Sequence, residues 1–139
     1  MRKILVLGAG KIGALISGLL AESGDYAVAL ADVDGNASAA VAKAHGSERL
    51  TAHAVDATQR KSLDAFLATH KIDAVVSSLP YYCNPVVAAA ARKADAHYFD
   101  LTEDVTVTRA VRRIARGAKR AFVPQCGLAP GFISIAANE

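Results

Sequence analysis

Short apolar runs alternate along this chain with segments in which apolar residues recur at helical spacing. The first run, residues 4–7, is a continuous stretch of branched side chains, as in a strand that is buried on both faces. The alternation predicts strands at 4–7, 27–31, 50–55, 72–76, 97–100 and 120–123. It predicts helices between them at 11–23, 37–45, 59–70, 85–94 and 105–117.

Strands that alternate with helices in this way pair in parallel through right-handed crossovers. We therefore expect an α/β fold of the doubly wound Rossmann type, with helices on both faces of a six-stranded sheet in the order 3-2-1-4-5-6. Polar residues and glycine at the predicted boundaries should cap the helices. Asp34 and Gly46 would close the two ends of the second helix. Thr58 would cap the third helix, and Asn84 the fourth, which has Pro85 at its first position.

A glycine-rich turn separates the first strand from the first helix. It reads Gly8-Ala9-Gly10-Lys11-Ile12-Gly13 and matches the pattern G-x-G-x-x-G. The first glycine of such a turn allows a tight bend, the second lets the backbone approach a pyrophosphate, and the third lets the helix lie close to the strand. The helix N-terminus adds free N–H groups and the positive end of its dipole. A glycine turn with a purely structural role could have the same sequence, so the glycines alone do not establish a ligand site.

Asp32 ends the second predicted strand, 19 residues after Gly13. This spacing is close to that of the carboxylate that binds the ribose hydroxyls in dinucleotide sites. No arginine follows Asp32 closely, and Asp34, a turn or capping residue, adds another negative charge that disfavours a 2′-phosphate. The sequence therefore predicts a nicotinamide dinucleotide site that takes NAD, with NADP less favoured.

The remaining cofactor contacts should come from the loops after the third and fourth strands, because ligands cross the carboxyl ends of such a sheet. These residues are Asp56, Ala57, Ser77, Ser78, Leu79 and Pro80. Asp56 and Ala57 would flank the adenine ring, although an acid at a helix N-terminus explains Asp56 equally well. Tyr81, Tyr82 and Asn84 follow in the second loop and would lie near the substrate, while packing of the tyrosines is the alternative.

Composition and charge exclude several other classes of protein. A net charge of +3 suits an anionic cofactor and does not by itself indicate a nucleic-acid or membrane partner. Lys11 interrupts the apolar start of the chain, and prolines, serines and an asparagine interrupt residues 74–91, so neither a signal peptide nor a membrane span is predicted. We interpret the arginines at 109, 112, 113 and 116 as a solvated helix face.

Cysteine and histidine provide no metal or redox motif. Cys83 and Cys126 lack the spacing of a metal or redox pair, which predicts free thiols and a cytoplasmic location. Cys126 is expected to be a small buried residue at a strand end. The four histidines lie in separate predicted elements, so no metal site is predicted.

Three motifs in the second half of the chain resemble the saccharopine dehydrogenase family. They are Leu79-Pro80-Tyr81-Tyr82 with Asn84, the segment HYFDLT at 97–102, and Gly127-Leu128-Ala129-Pro130-Gly131. The pattern is similar to the branch that contains saccharopine reductase and lysine 6-dehydrogenase-like proteins. The resemblance implies a nicotinamide-dependent oxidoreductase that acts on the C–N bond of an amino acid, with Gly127 and Pro130 near the substrate. NADP-preferring members carry a basic residue near the end of the second strand, where this chain differs.

Family members carry a second, catalytic domain after a segment like 127–132. We therefore expect residues 1–126 to form the dinucleotide-binding domain and 127–139 to begin a truncated connection to an absent catalytic domain. The amino-acid substrate would be held through that domain, so the chain alone should be catalytically silent. The sequence leaves a homodimer open. The alternative function is a non-enzymatic NAD-sensing module of the transporter-gating type, which has the same fold and a similar length.

Overall fold

The computed structural model describes residues 1–138 and contains one parallel sheet of six strands. The strands are β1 (Arg2–Leu7), β2 (Tyr26–Asp32), β3 (Leu50–Ala54), β4 (Ala74–Ser77), β5 (His97–Asp100) and β6 (Phe122–Val123). Their order across the sheet is β3-β2-β1-β4-β5-β6, and every neighbouring pair is parallel. The chain therefore has the predicted Rossmann topology, with the strand order reversing between β1 and β4.

Helices connect successive strands and follow the last one. They are α1 (Lys11–Glu22), α2 (Gly35–His45), α3 (Arg60–His70), α4 (Asn84–Lys93), α5 (Val105–Ala115) and α6 (Ile133–Ala136). A 3₁₀ turn, Tyr81–Cys83, precedes α4, and an irregular turn, Leu128–Phe132, with extended backbone at Ala129, precedes α6. Among residues 1–138, no helix combines the length and apolar character that crossing a bilayer requires.

Two buried clusters lie on opposite faces of the sheet. On one face, Leu5 and Tyr98 belong to a cluster that α3, α4 and α5 cover with residues such as Leu63. On the other face, Ile4 and Val28 lie beneath residues of α1 and α2. Alternate residues of β1 thus contribute to both clusters, which explains why its sequence is continuously apolar.

The predicted caps of α2 are confirmed. The Asp34 side chain accepts a hydrogen bond of 2.9 Å from the N–H of Asn36 at the start of the helix. Gly46 closes the helix in the left-handed conformation, with φ of 71°. Both residues act locally, within the turn that contains them.

The predicted caps of α3 and α4 are wrong. The Thr58 hydroxyl donates instead to Asp56 Oδ1 at 2.6 Å, and α3 starts after Gln59 without a side-chain cap. Asn84 is already helical, because the 3₁₀ turn precedes it, whereas a capping residue needs extended backbone. Its buried side chain accepts a hydrogen bond of 2.8 Å from the Ser77 hydroxyl. Both side chains thus have partners outside the helix they were expected to cap.

Candidate dinucleotide site

The glycine loop between β1 and α1 contains two glycines that the protein itself requires. Gly8 has φ of +99°, and a Cβ there would lie 2.8 Å from Ser78 Oγ. A Cβ on Gly13 would collide with the carbonyl oxygen of Gly8. Gly10 differs, since a Cβ at that position would have no described atom within 4 Å. The surrounding structure therefore does not require a glycine at position 10, and the predicted close approach of a ligand to its backbone stays a prediction.

The N-terminus of α1 opens at the same place. Gly10 precedes the helix with extended backbone, and within residues 1–138 no side chain caps it. The first helical hydrogen bond runs from Ala14 N to Gly10 O at 2.9 Å. The N–H groups of the first turn, including those of Lys11 and Ile12, therefore have no partner within the helix and suit an anionic group.

Asp32 lies at the rim of the glycine loop. Its Oδ2 accepts a hydrogen bond of 2.7 Å from the N–H of Ala9, and its Oδ1 accepts one of 2.9 Å from the N–H of Asp34. The residue is only partly buried. Because each carboxylate oxygen has more than one acceptor direction, Asp32 can hold the loop and still accept from a ligand hydroxyl.

Asp56 and Ala57 follow β3, which neighbours β2 in the sheet. Asp56 Oδ1 accepts from both the hydroxyl and the N–H of Thr58, at 2.6 and 2.9 Å. The hydroxyl hydrogen bond, followed by the backbone one, lowers the pKa of the Asp56 carboxyl below its ordinary value. Ala57 is buried. The structure thus places Asp56 as a partly exposed carboxylate on the Asp32 side of the sheet.

Ser77 and Ser78 end β4 and have hydrogen bonds within the protein. Ser78 Oγ donates to Leu7 O at 2.9 Å and therefore ties the β4 loop to the start of the glycine loop. The Ser77 hydroxyl is buried and donates to Asn84. Leu79 packs partly against the core, and the exposed Pro80 leads into the 3₁₀ turn. The contacts of these residues with a cofactor stay predictions, and the geometry leaves mainly their backbone to make them.

Tyr81 and Tyr82 project from the carboxyl edge of the sheet. Their exposed fractions are 55% and 66%, and their rings meet edge to face with centroids 5.8 Å apart. Such exposure does not fit the alternative in which they pack into the core. The pair is therefore an exposed aromatic surface beside the β4 loop.

The loop after β6 contains the other substrate-proximal candidates, Gly127 and Pro130. A Cβ on Gly127 would lie 3.0 Å from the carbonyl oxygen of Leu101, so this loop packs against the one that follows β5. Pro130 is exposed in the turn Leu128–Phe132. Cys126 is exposed rather than buried as expected, because β6 is only two residues long and the chain has already turned at Gln125.

Asp100 was not identified from the sequence as a site residue. It ends β5, is fully buried, and accepts a hydrogen bond of 2.8 Å from the Tyr98 hydroxyl. Burial, followed by the charge of Asp100 nearby, raises the pKa of the Tyr98 hydroxyl above its ordinary value. The sequence offers two signals for Asp100: it is a charged residue at the end of a strand, and it lies in the segment HYFDLT at 97–102, one of the three motifs that resemble the family.

Histidine and arginine side chains show no further site. The rings of His53 and His70 have centroids 5.0 Å apart, although the two residues lie in different elements. Within residues 1–138, no group of three or more histidine, cysteine or acidic side chains could hold a metal ion. The arginines of the α5 face, at 109, 112, 113 and 116, are all exposed.

Comparisons with known proteins agree with this geometry. Residues 4–123 match the family model described as the saccharopine dehydrogenase NADP binding domain. Apo saccharopine dehydrogenase (L-Glu forming) from Saccharomyces cerevisiae has a TM-score of 0.87 and 26% identity over 99% of this chain. The chain spans only 30% of the length of that yeast protein. No curated protein sequence matches the chain.

Two further solved structures share the fold. A putative myo-inositol dehydrogenase from Sinorhizobium meliloti 1021 has a TM-score of 0.69 and 24% identity, covering 89% of this chain and 36% of that one. The WlbA dehydrogenase from Chromobacterium violaceum, in complex with NADH and UDP-GlcNAcA, has a TM-score of 0.69 and 21% identity, covering 88% and 34%. The comparisons do not favour the alternative of a non-enzymatic sensing module, since the matching family model describes a dehydrogenase domain and the yeast structure is a saccharopine dehydrogenase. Sheet order, glycine loop and family match lead to one conclusion: the chain belongs to the saccharopine dehydrogenase family of nicotinamide dinucleotide-binding domains.

Proposed function

We propose that this chain binds NAD as the dinucleotide-binding part of an oxidoreductase that transfers hydride at the C–N bond of an amino acid. The observation that carries the proposal is the position of Asp32, whose carboxylate accepts from Ala9 at the rim of the glycine loop. The similarity to saccharopine dehydrogenase supports the amino-acid substrate. The family model is named for NADP, so the preference for NAD rests on the residues of this chain.

The charges around Asp32 support NAD over NADP. A ribose 2′-OH can donate to this carboxylate, whereas a 2′-phosphate would bring further negative charge against it. Asp34 adds a second, exposed carboxylate two residues later. In the part of the chain that the structure describes, no lysine or arginine forms an ion pair with either residue. A 2′-phosphate would therefore meet two carboxylates that have no ion-pair partner in the described chain.

Each half of the sheet would bind one half of the cofactor. The adenosine half would lie over β1, β2 and β3, with Asp32 on its ribose. The pyrophosphate would lie over Gly10 and the N-terminus of α1. The nicotinamide half would lie over β4, β5 and β6, beside the exposed Tyr81 and Tyr82. The nicotinamide supplies the hydride chemistry, and the chain binds and orients it.

We further propose that the second wall of the substrate cleft lies outside this sequence, in a catalytic domain. The chain spans 30% of the yeast enzyme, which supports this proposal. Hydride transfer requires a substrate held at close range in a site from which water is excluded. The tyrosine pair is instead exposed to solvent.

The unpaired state of Cys83 and Cys126 supports a cytoplasmic location for the protein.

Calorimetric titration with NADH and NADPH tests the proposed cofactor. We expect NADH to bind at least about tenfold more tightly, because one hydrogen bond to a charged group contributes roughly 1.5–3 kcal/mol. Asp32→Ala should reduce this preference. Asp25→Ala is the matched control, since it removes the same charge just before the opposite end of β2. Tighter binding of NADPH by the unmodified chain would refute the preference, and binding of neither dinucleotide would refute the function.

Absorbance of NADH tests the proposed need for a second domain. The chain is incubated with NAD and, in turn, with lysine, saccharopine and related amino acids. We expect no sustained turnover, because the proposed second wall of the cleft lies outside this sequence. Amino-acid-dependent production of NADH would show that the site is complete within this sequence.

A further inference from the structure

The second half of the sheet has a buried carboxylate at its carboxyl edge. Asp100 ends β5, and its Cα pairs in register with that of Ser77 at the end of β4. Each half of a doubly wound sheet binds one mononucleotide half of the cofactor at these strand ends. Asp100 therefore lies beneath the surface on which the nicotinamide half would rest.

Two loops meet at the Asp100 side chain. Oδ1 accepts from the N–H of Thr102 at 3.1 Å, in the loop after β5, and from the N–H of Gln125 at 3.0 Å, in the loop after β6. Oδ2 accepts from the Tyr98 hydroxyl at 2.8 Å. The carbonyl oxygen of Asp100 also accepts from Cys126 N at 2.8 Å. One residue thus fixes both loops at once.

The loop after β6 depends on this anchor. Gln125 has φ of 64°, a left-handed conformation that a non-glycine residue keeps only where its surroundings hold it. Its N–H donates to Asp100, while its carbonyl oxygen lies only 2.6 Å from the position of a Cβ on Gly131. A Cβ on Gly127 would likewise lie 3.0 Å from the carbonyl oxygen of Leu101. The segment 125–131 therefore packs as one unit on Asp100 and the β5 loop.

We propose that Asp100 is a positioning residue, which holds the loops after β5 and β6 together and so shapes the wall that contacts the nicotinamide. This inference rests on the proposed function and extends it to a residue that cannot itself touch the cofactor, because it is fully buried. The same geometry identifies the conservative variant. Asparagine can direct its oxygen to the two backbone N–H groups and its amide nitrogen to the Tyr98 oxygen, since a hydroxyl can rotate to accept.

The experiment compares a ligand that has a nicotinamide with one that lacks it. NADH and ADP-ribose are titrated into the unmodified chain, Asp100→Ala and Asp100→Asn, with thermal unfolding as a check of folding. We expect Asp100→Ala to weaken NADH binding about tenfold and to leave ADP-ribose affinity within twofold, because the adenosine half is untouched. The increase in nicotinamide fluorescence on NADH binding should also be smaller for Asp100→Ala than for the unmodified chain. Asp100→Asn should behave like the unmodified chain.

Gln125→Pro provides a second variant if Asp100→Ala does not fold. It removes the same N–H donor and cannot adopt the left-handed φ, yet it lies in a surface loop. We expect the same selective loss of NADH. Equal weakening of both ligands, or no change for either one in both variants, would overturn the positioning role while the proposed function stands. An unmodified chain that binds neither ligand would overturn the proposed function and this inference with it.

Discussion

Two aspartates end strands in the two halves of the sheet and differ in burial and in hydrogen-bond partners. Asp32 ends β2 and Asp100 ends β5. In each, Oδ1 accepts from the N–H two residues later, at 2.9 Å for Asp34 and 3.1 Å for Thr102. The difference lies in the second oxygen. That of Asp32 reaches Ala9 in the glycine loop from a partly exposed position, whereas that of Asp100 is buried against the Tyr98 hydroxyl.

Burial determines what each carboxylate can do. A buried charge is tolerated only when hydrogen bonds satisfy it, so the acceptor capacity of Asp100 is used within the protein. A partly exposed carboxylate has capacity left for a ligand hydroxyl, as at Asp32. The same residue type at the same topological position is thus free to accept from a ligand in one half, as proposed for Asp32, and has only partners within the described chain in the other.

The largest expected effect comes from a substitution in the glycine loop that Asp32 contacts. Gly13→Ala should lower the free energy of unfolding by about 4 kcal/mol, because its Cβ would collide with the Gly8 carbonyl oxygen and force β1 and α1 apart. Gly10→Val is the matched control, since its extended backbone has open space for a side chain. It should keep its stability within about 1 kcal/mol and lose NADH binding. Urea unfolding and calorimetry measure both, and an unchanged NADH affinity in Gly10→Val would make the loop purely structural.

The second prediction exchanges each aspartate for alanine. Asp100→Ala should cost about 3 kcal/mol of unfolding free energy, because Tyr98, Thr102 and Gln125 would lose their acceptor inside the protein. Asp32→Ala should cost about 1 kcal/mol, since water can reach the groups it leaves. Urea unfolding of both variants provides the comparison. Equal losses would show that burial does not separate the two residues.

Most of the fold could be predicted because hydrophobic periodicity is local. The strand at 97–100 was predicted with the bounds that the structure shows, and the sheet order was correct. The glycine loop and Asp32 lie together as their spacing implied. These features follow from residues close in sequence, or from a topology that the strand–helix alternation dictates.

The wrong predictions concern side chains that can hydrogen-bond to more than one partner. Asn84 bonds to Ser77 rather than capping its helix, and Thr58 bonds to Asp56. Asp100 could not be assigned a role from sequence because one of its donors, Gln125, lies 25 residues away. The free space at Gly10 likewise depends on the folded chain. Side-chain hydrogen bonds are therefore the part of this site that needed three-dimensional structure.

The smallest expected effect concerns a third aspartate near a strand end, Asp56 after β3. It accepts from the N–H two residues later, as Asp32 and Asp100 do, and also from the Thr58 hydroxyl. The hydroxyl hydrogen bond, followed by the backbone one, holds the pKa of Asp56 below its ordinary value of 3.8. Because the folded pKa is the lower one, the stability that Asp56 contributes is present above pH 3.8 and is lost as the pH falls through the folded pKa.

Thr58→Val removes the hydroxyl and keeps the shape of the side chain, so the pKa of Asp56 should rise toward its ordinary value. Thr58→Ser keeps the hydroxyl and is the control, with a pKa close to that of the unmodified chain. A pH titration of the Asp56 carboxyl followed by NMR measures the three midpoints directly. If the Asp56 carboxyl has the same titration midpoint in Thr58→Val and in the unmodified chain, the backbone N–H of residue 58 alone stabilises the carboxylate. Asp56 Oδ1 would then be stabilised only by the backbone N–H two residues later, as Asp32 Oδ1 is. The Thr58 hydroxyl would make no difference between the two carboxylates.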